Sequence, residues 1–275
     1  MKIIEKFQRG KTTTDTNEDG IVTTDDFAAV IDGSTSKGNM QWSGKTTGRT
    51  AMELLTDSIA SLPERSTAFT ALEVLTERIR RFYVQHGLCE EVKWNPENRL
   101  TASCVIYSHF RKEIWMFGDC LCRFNGKTYT HPKHTDRVLS EIRADILSYL
   151  IRKGHSIENL QTRDLAREWI LPYLKDQCAF QNTRDAGLYS YAVLDGFTVF
   201  PDMIRILPVP DETTELILAS DGYPCLEDSL EDTERRLSAL LYSDPLCYHK
   251  FKSTKGCIKG NVSYDDRSYL RLSLN

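Results

Sequence analysis

The chain has 275 residues, 40% of them hydrophobic and 27% charged, with a formal net charge of −4. That composition supplies a sizeable core, and the acidic balance gives no basis for nucleic acid or an anionic membrane as the main partner. No apolar run approaches the roughly 18 residues of a membrane span, and the opening "MKIIEKFQRG" lacks a signal-peptide core, so the expectation is a soluble, cytoplasmic protein.

Short β-branched or aromatic runs read as strands and longer runs with helical spacing as helices. In chain order, "GIVTT" and "FAAVID" are strands, and "STSKGNMQWSGKTTG" after them is polar and loop-like. "TALEVLTERIRRF" is a helix whose Leu72, Leu75, Ile79 and Phe82 form one apolar stripe. Loop composition comes next at 86–99, then the strands "ASCVIYS" and "EIWMFGD". "THPKHTD" reads as a solvated loop, which removes His131 and His134 as a metal pair. "DRVLSEIRADILSYLIRKG" is a helix closed by Gly154, and "TRDLAREWILPYLKD" is another. "YAVLDGFTVF" predicts a type I′ hairpin turning at Asp195-Gly196. The strands "IRILPV" and "ELILASD", the helix "LEDTERRLSALLY", a loop at 243–261 and the strand "YLRLSL" complete the chain. Strands arriving in groups with helices between them favour mixed α and β structure with much antiparallel pairing. The eight cysteines are scattered without a C-x-x-C pair, so Cys120 and Cys122 lack the usual spacing of a zinc site. No G-x-G-x-x-G or Walker loop succeeds a strand.

Acidic residues stand at the ends of several of these strands. Asp32-Gly33 ends "FAAVI", Asp119 comes after "EIWMFG", Asp221-Gly222 ends "ELILAS", Asp265-Asp266 opens the last strand, and Asn17-Glu18-Asp19 precedes "GIV". Asp-Gly is a common hairpin signal, and a plain turn is the simpler reading of any one of them. The residues downstream argue against it: a small polar stretch comes after Gly33 and a helix after Gly222, so neither turns a hairpin. Should these ends meet at one sheet edge, the carboxylates repel one another unless cations neutralise them. An oxygen-only donor set of this kind, with the Gly33 carbonyl, suits Mg²⁺ or Mn²⁺ and suits zinc poorly. Two such ions activate water and clamp a phosphoryl group.

In this order the segments "TNEDGI", "FAAVIDG", "LTASCVIYSHFRKEIWMFGDCLCRF", "ELILASDG" and "YDDRSYLRL" resemble the motifs of the metal-dependent serine/threonine protein phosphatases of the 2C type, over nearly the whole chain. The resemblance implies an α+β fold, a four-layer α-β-β-α sandwich with two mainly antiparallel sheets flanked by helices. It implies one domain over residues 1–275 with a helical insert or flap at about 130–185. By position, Asp32 and Gly33 would bind two Mn²⁺ or Mg²⁺ ions, Asp221 and Asp265 would ligate the second, Glu18 and Asp19 would assist, and Asp119 would support a third. Asp32 and Asp221 would be the catalytic carboxylates, hydrolysing phosphoserine or phosphothreonine esters without a covalent phosphoenzyme. The implied partners are a phosphorylated protein and a cognate Ser/Thr kinase, with a monomer as the default.

The sequence departs from the family at Thr14, where an Arg that grips the phosphate is usual, and at Ser34-Thr35-Ser36 after the Asp-Gly. Lys11, Lys37 and Arg49 are candidates to replace the missing guanidinium. These departures leave a second reading beside the enzyme: a weakly active or inactive phosphatase-like protein that binds or regulates a partner.

Overall fold

A computed structural model describes residues 1–12, 16–35, 37–38 and 40–274, so that Thr14 and Ser36 lie outside the described residues. The chain opens with the strands β1 (Lys2–Arg9), β2 (Asp19–Thr23) and β3 (Phe27–Gly33), then the two-residue strands β4 (Gln41–Trp42) and β5 (Lys45–Thr46). Three helices come after them, α1 (Thr47–Ala60), α2 (Ala68–Gln85) and α3 (Cys89–Trp94), and then β6 (Ala102–Ser108), β7 (Glu113–Phe117), β8 (Leu121–Phe124) and β9 (Lys127–Tyr129). The helices α4 (His134–Arg152), α5 (Ile157–Thr162) and α6 (Leu165–Asp176) come next. The chain ends with β10 (Arg205–Pro208), β11 (Glu215–Ala219), α7 (Leu230–Ser243) and β12 (Arg267–Ser273).

Two five-stranded sheets result, ordered β1-β12-β11-β8-β9 and β10-β7-β6-β3-β2, and neighbouring strands in both are antiparallel. Successive strand residues point to opposite faces. In β3, Ala28 and Val30 therefore pack with Val105 and Met116 against Cys122, Leu216, Leu218 and Leu270 of the other sheet. Their neighbours Ala29 and Ile31 face outward, onto Leu55 and Ile59 of α1 and Leu75 and Ile79 of α2. On the far side, Ile217, Ala219 and Tyr269 pack with Leu237 of α7. The layers are thus helix, sheet, sheet, helix, an α+β sandwich. Both faces of the central strands are covered, so they read in the sequence as continuous apolar runs rather than alternating ones.

The stripe on α2 is as the spacing predicts, with Leu72, Leu75 and Ile79 buried and Phe82 packed beside them. α4 ends before Gly154, which takes a positive φ of 97°. Within the insert, Leu147, Leu150, Leu160 and Ala166 gather around Leu246, while Leu139 of α4 meets Ile170 and Leu174 of α6.

Three expectations change. The segment "YAVLDGFTVF" forms no hairpin; residues 191–200 carry only isolated bridges, Leu194 to Ala102 and Tyr191 to Gln181. Asp195 is fully buried there. Its Oδ1 accepts from Asn182 Nδ2 at 2.8 Å and Phe197 N at 3.0 Å, and its Oδ2 from Arg99 Nη1 at 3.0 Å and Gln181 Nε2 at 3.1 Å. Four donors fill both carboxylate oxygens, so a buried polar hub replaces the turn that local chemistry predicts. The 86–99 stretch contains α3. The polar run after Gly33 leads into α1, whose N-cap Thr46 accepts from Arg49 N.

Candidate active site

Register brings the acidic strand ends together. Asp19 of β2 stands opposite Asp32 of β3, and Asp32 stands opposite Ser103 of β6. Asp221 lies just past β11, and Asp265 just before β12, the strand paired with it. Gly33 closes the approach, since a Cβ there would strike the backbone oxygens of Gly48 and Glu18. Gly118 takes a φ of 107°, and a Cβ on it would collide with Ser103, whose Oγ donates to Asp119 Oδ1 at 2.6 Å.

These ends open into a cavity of about 410 Å³. Asp32, Asp119, Asp221 and Asp265 line it, and so do Lys37, Lys133, Arg167 and Lys255. Glu18 and Asp19 stand behind this lining, buried. Ser220 Oγ donates to Asp19 Oδ2 at 2.6 Å, and Thr46 Oγ1 donates to Glu18 Oε1 at 2.5 Å.

The carboxylates differ in charge state. Burial, then repulsion from Asp221, Asp19 and Asp265, pushes Asp32 well above the usual carboxylate range. Burial, then Asp119 and Asp265, pushes Asp221 up to about 6. Asp19 is raised well above its ordinary value chiefly by burial, and Glu18 is raised by it too. Asp265 goes the other way: burial acts to raise it, but Lys255 and Lys11 outweigh burial and hold it low. Lys255 forms an ion pair with Asp265 Oδ2, and Lys11 Nζ stands 3.4 Å from Oδ1. Asp119 is likewise held low against burial by Lys133, whose Nζ is 2.8 Å from Oδ2.

Among the described residues, no group of three or more His, Cys, Asp or Glu stands arranged to hold a metal ion. Asp32 lies beside Asp221, and Asp265 and Asp119 carry ammonium partners. In donor chemistry the set does fit a hard divalent cation, because Asp19, Asp32 and Asp221 are desolvated, oxygen-only and mutually repelling.

Of the candidate phosphate contacts, Lys37 lines the cavity and Lys11 lies at Asp265. Arg49 is committed elsewhere: its Nη1 donates to Asn17 O at 2.6 Å and its Nε to Glu53 Oε1 at 2.9 Å, and it does not line the cavity. The sequence placed Asp266 at the opening of the last strand without a role; its Oδ1 accepts from Lys11 N at 2.7 Å and its Oδ2 from Glu18 N at 2.9 Å, which fastens the Asn17-Glu18-Asp19 segment to the start of β12. Sequence reasoning passed over Lys133, Lys255 and Arg167. No local pattern marks these three, because each meets the site through tertiary packing.

No protein-family model matches the sequence, and no curated protein matches it. Solved structures do. The catalytic domain of the serine threonine protein phosphatase PstP, in complex with two manganese ions, aligns over 98% of this chain and 97% of its own with 13% identity and a TM-score of 0.50. The serine/threonine phosphatase Stp1 from Staphylococcus aureus aligns over 100% and 96% with 16% identity and a TM-score of 0.46. PppA of Pseudomonas aeruginosa, a key regulatory component of T6SS, aligns over 98% and 96% with 14% identity and a TM-score of 0.47. At these identities the likeness shows the fold, which this chain shares with the PstP catalytic domain.

Proposed function

We propose that the protein is a metal-dependent phosphoric monoester hydrolase of the 2C type, acting on phosphoserine or phosphothreonine in proteins. The observation that carries the reading is the cavity where Asp32, Asp119, Asp221 and Asp265, from strand ends of both sheets, face a basic rim. The fold shared with a manganese-bound phosphatase domain supports it. Under this reading Asp32, the Gly33 carbonyl, Asp221 and Asp265 would hold Mn²⁺ or Mg²⁺, Glu18 and Asp19 would back them, and Asp119 would take a third ion. Ions held there supply a Lewis acid for the phosphoryl oxygens and make a bound water a nucleophile near neutral pH. The chain's own residues prepare the place. Asp266 pins Glu18, Ser220 orients Asp19, and Ser103 orients Asp119. Lys255 and Lys133 keep Asp265 and Asp119 ionised and compete with any cation for them. The same reading takes the 275 residues as one catalytic domain with an insert at about 130–185. It implies a phosphorylated protein partner, an opposing Ser/Thr kinase, a monomer and a cytoplasmic setting.

The ammonium groups at Asp265 and Asp119 favour a second reading, a phosphatase-like protein that binds its partner with little or no turnover. Calorimetric Mn²⁺ titration together with phosphopeptide hydrolysis, on wild type and Asp32→Asn, separates the two. The enzyme reading expects Mn²⁺ binding and turnover, both lost in the variant. Binding without turnover moves the assignment to the second reading, and neither binding nor turnover refutes the metal site.

A further inference from the structure

We infer that Arg167 of α6, together with Lys37 of the loop after β3, forms the anion-binding pair of the cavity and grips the phosphoryl group of the substrate. The inference deepens the phosphatase reading and rests on it for the identity of the anion as a phosphate monoester.

The basic side chains of the cavity fall into two groups. Lys133 is paired with Asp119, Lys255 with Asp265, and Lys252, at the rim, with Glu141. Arg137 is exposed and lies beside His134. The Arg167 guanidinium and the Lys37 ammonium, both less exposed than Arg137, have no carboxylate within ion-pair distance among the described residues. The Arg167 guanidinium makes one hydrogen bond among the described residues, from Nη1 to Thr254 O at 2.6 Å, which leaves Nε and Nη2 without an acceptor there. Lys37 makes no hydrogen bond or ion pair there.

Both side chains are half-buried in the cavity wall. Burial lowers the proton affinity of Lys37 and also that of Arg167, the latter despite attraction from Asp164, Asp265 and Asp136. Taking a cation out of water without an anion is costly, and an entering anion offsets that cost. A guanidinium presents a planar fork that matches two phosphate oxygens, whereas an ammonium supplies a compact point charge. One Nη1 bond to a carbonyl restricts the rotation of the Arg167 fork. Thr254 belongs to a loop that is itself held, since Arg143 Nη1 donates to Leu246 O at 2.9 Å and Ser253 O at 3.0 Å. The anion site thus joins the insert to the sandwich: Arg167 comes from α6, and Lys37 lies just past the strand that carries Asp32.

The test is calorimetric titration of the full chain with inorganic phosphate, with and without Mn²⁺. The samples are wild type, Arg167→Met, Arg167→Lys, Lys37→Met and the distant control Arg235→Met, each with its Tm. Phosphopeptide kcat and KM are measured on the same samples. The expected result is a loss of phosphate affinity of roughly 10- to 100-fold in Arg167→Met and Lys37→Met, a smaller loss in Arg167→Lys, and none in the control. If Arg167→Met fails to fold, Arg167→Lys and Lys37→Met carry the test. Unchanged phosphate affinity and KM in the folded variants overturns the inference even when wild type is an active phosphatase, and so does wild type that binds no phosphate at millimolar concentration. Phosphate binding that depends on Arg167 in a protein without turnover upholds the grip and refutes the hydrolase reading alone.

Discussion

Asp265 and Asp266 are chemically identical neighbours with different work. Asp266 accepts from the backbone amides of Lys11 and Glu18, whereas Asp265 faces the cavity between two ammonium groups. Asp266→Ala strands the buried Glu18 N–H and the part-buried Lys11 N–H and is expected to cost about 1–3 kcal/mol in urea denaturation, together with turnover. Asp265→Asn is expected to remove Mn²⁺-dependent turnover with a smaller loss of stability, because only its ion pairs with the half-buried Lys11 and Lys255 are weakened. A variant pair with equal losses of stability would refute this division. Asp195 is a third case. Asp195→Ala leaves Arg99 without its buried counter-charge and Gln181 Nε2 without its acceptor, with Asn182 Nδ2 keeping only Val193 O, and about 3–5 kcal/mol is the expected loss. The sequence marks Asp265 as an acidic strand start and Asp195 as a turn. Neither assignment distinguishes a residue that faces solvent from one that is enclosed, because enclosure depends on partners such as Arg99, 96 positions away.

At the scale of elements, Arg143 is a central tie between the insert and the loop 246–255. Arg143 of α4 is fully buried, with Nη2 at 2.6 Å from Asp164 Oδ2 at the start of α6, and with bonds to the carbonyls of Leu246, Cys247 and Ser253. Asp244 shapes the same loop, its Oδ2 accepting from His249 N at 2.9 Å and Lys250 N at 2.7 Å. Removing the guanidinium leaves Asp164 buried and unpaired, so Arg143→Met is expected to cost about 3–5 kcal/mol. It is also expected to speed amide exchange across 246–255, the loop that carries Lys252 and Lys255 to the cavity. Unchanged exchange there would mean that the loop is held by other contacts. α4 and α6 of the insert were legible from their apolar spacing, α5 was not, and β3, β6, β7 and β11 were legible from their apolar runs. β1 was not, because an edge strand with a mostly exposed, charged pattern carries little apolar signal. The stripe Ala51, Leu55 and Ile59 of α1 was present in the sequence but lay behind a polar segment read as loop.

Across the whole molecule, cation binding and stability are linked. A cation that binds the folded carboxylates and not the unfolded chain stabilises by about 2.7 kcal/mol at a hundredfold excess over Kd. Mn²⁺ is therefore expected to raise the Tm, EDTA to reverse the rise, and Asp32→Asn to abolish it. Without Mn²⁺ the same substitution is expected to raise the Tm at neutral pH, since it removes a carboxyl that ionises freely in the unfolded chain and whose ionisation burial and the neighbouring carboxylates oppose in the fold. A Tm that ignores Mn²⁺ in wild type would argue that Lys11, Lys133 and Lys255 already neutralise the cluster.

The sequence by itself determined the α+β class, the central strands and the acidic residues that end them, because burial on both faces of a strand and the loss of apolar character at its end are local signals. The order of the motifs along the chain pointed to the same sandwich. Only the tertiary structure decided which carboxylates face the cavity, which are spent on backbone amides, and which cations meet them. Lys11 reaches Asp265 across 254 positions and Glu18 meets Asp266 across 248, and no periodicity or spacing encodes a pairing at that range. Such pairs form when β12 and the strands around it close the end of the sandwich, and the charge balance of the site is set at that point.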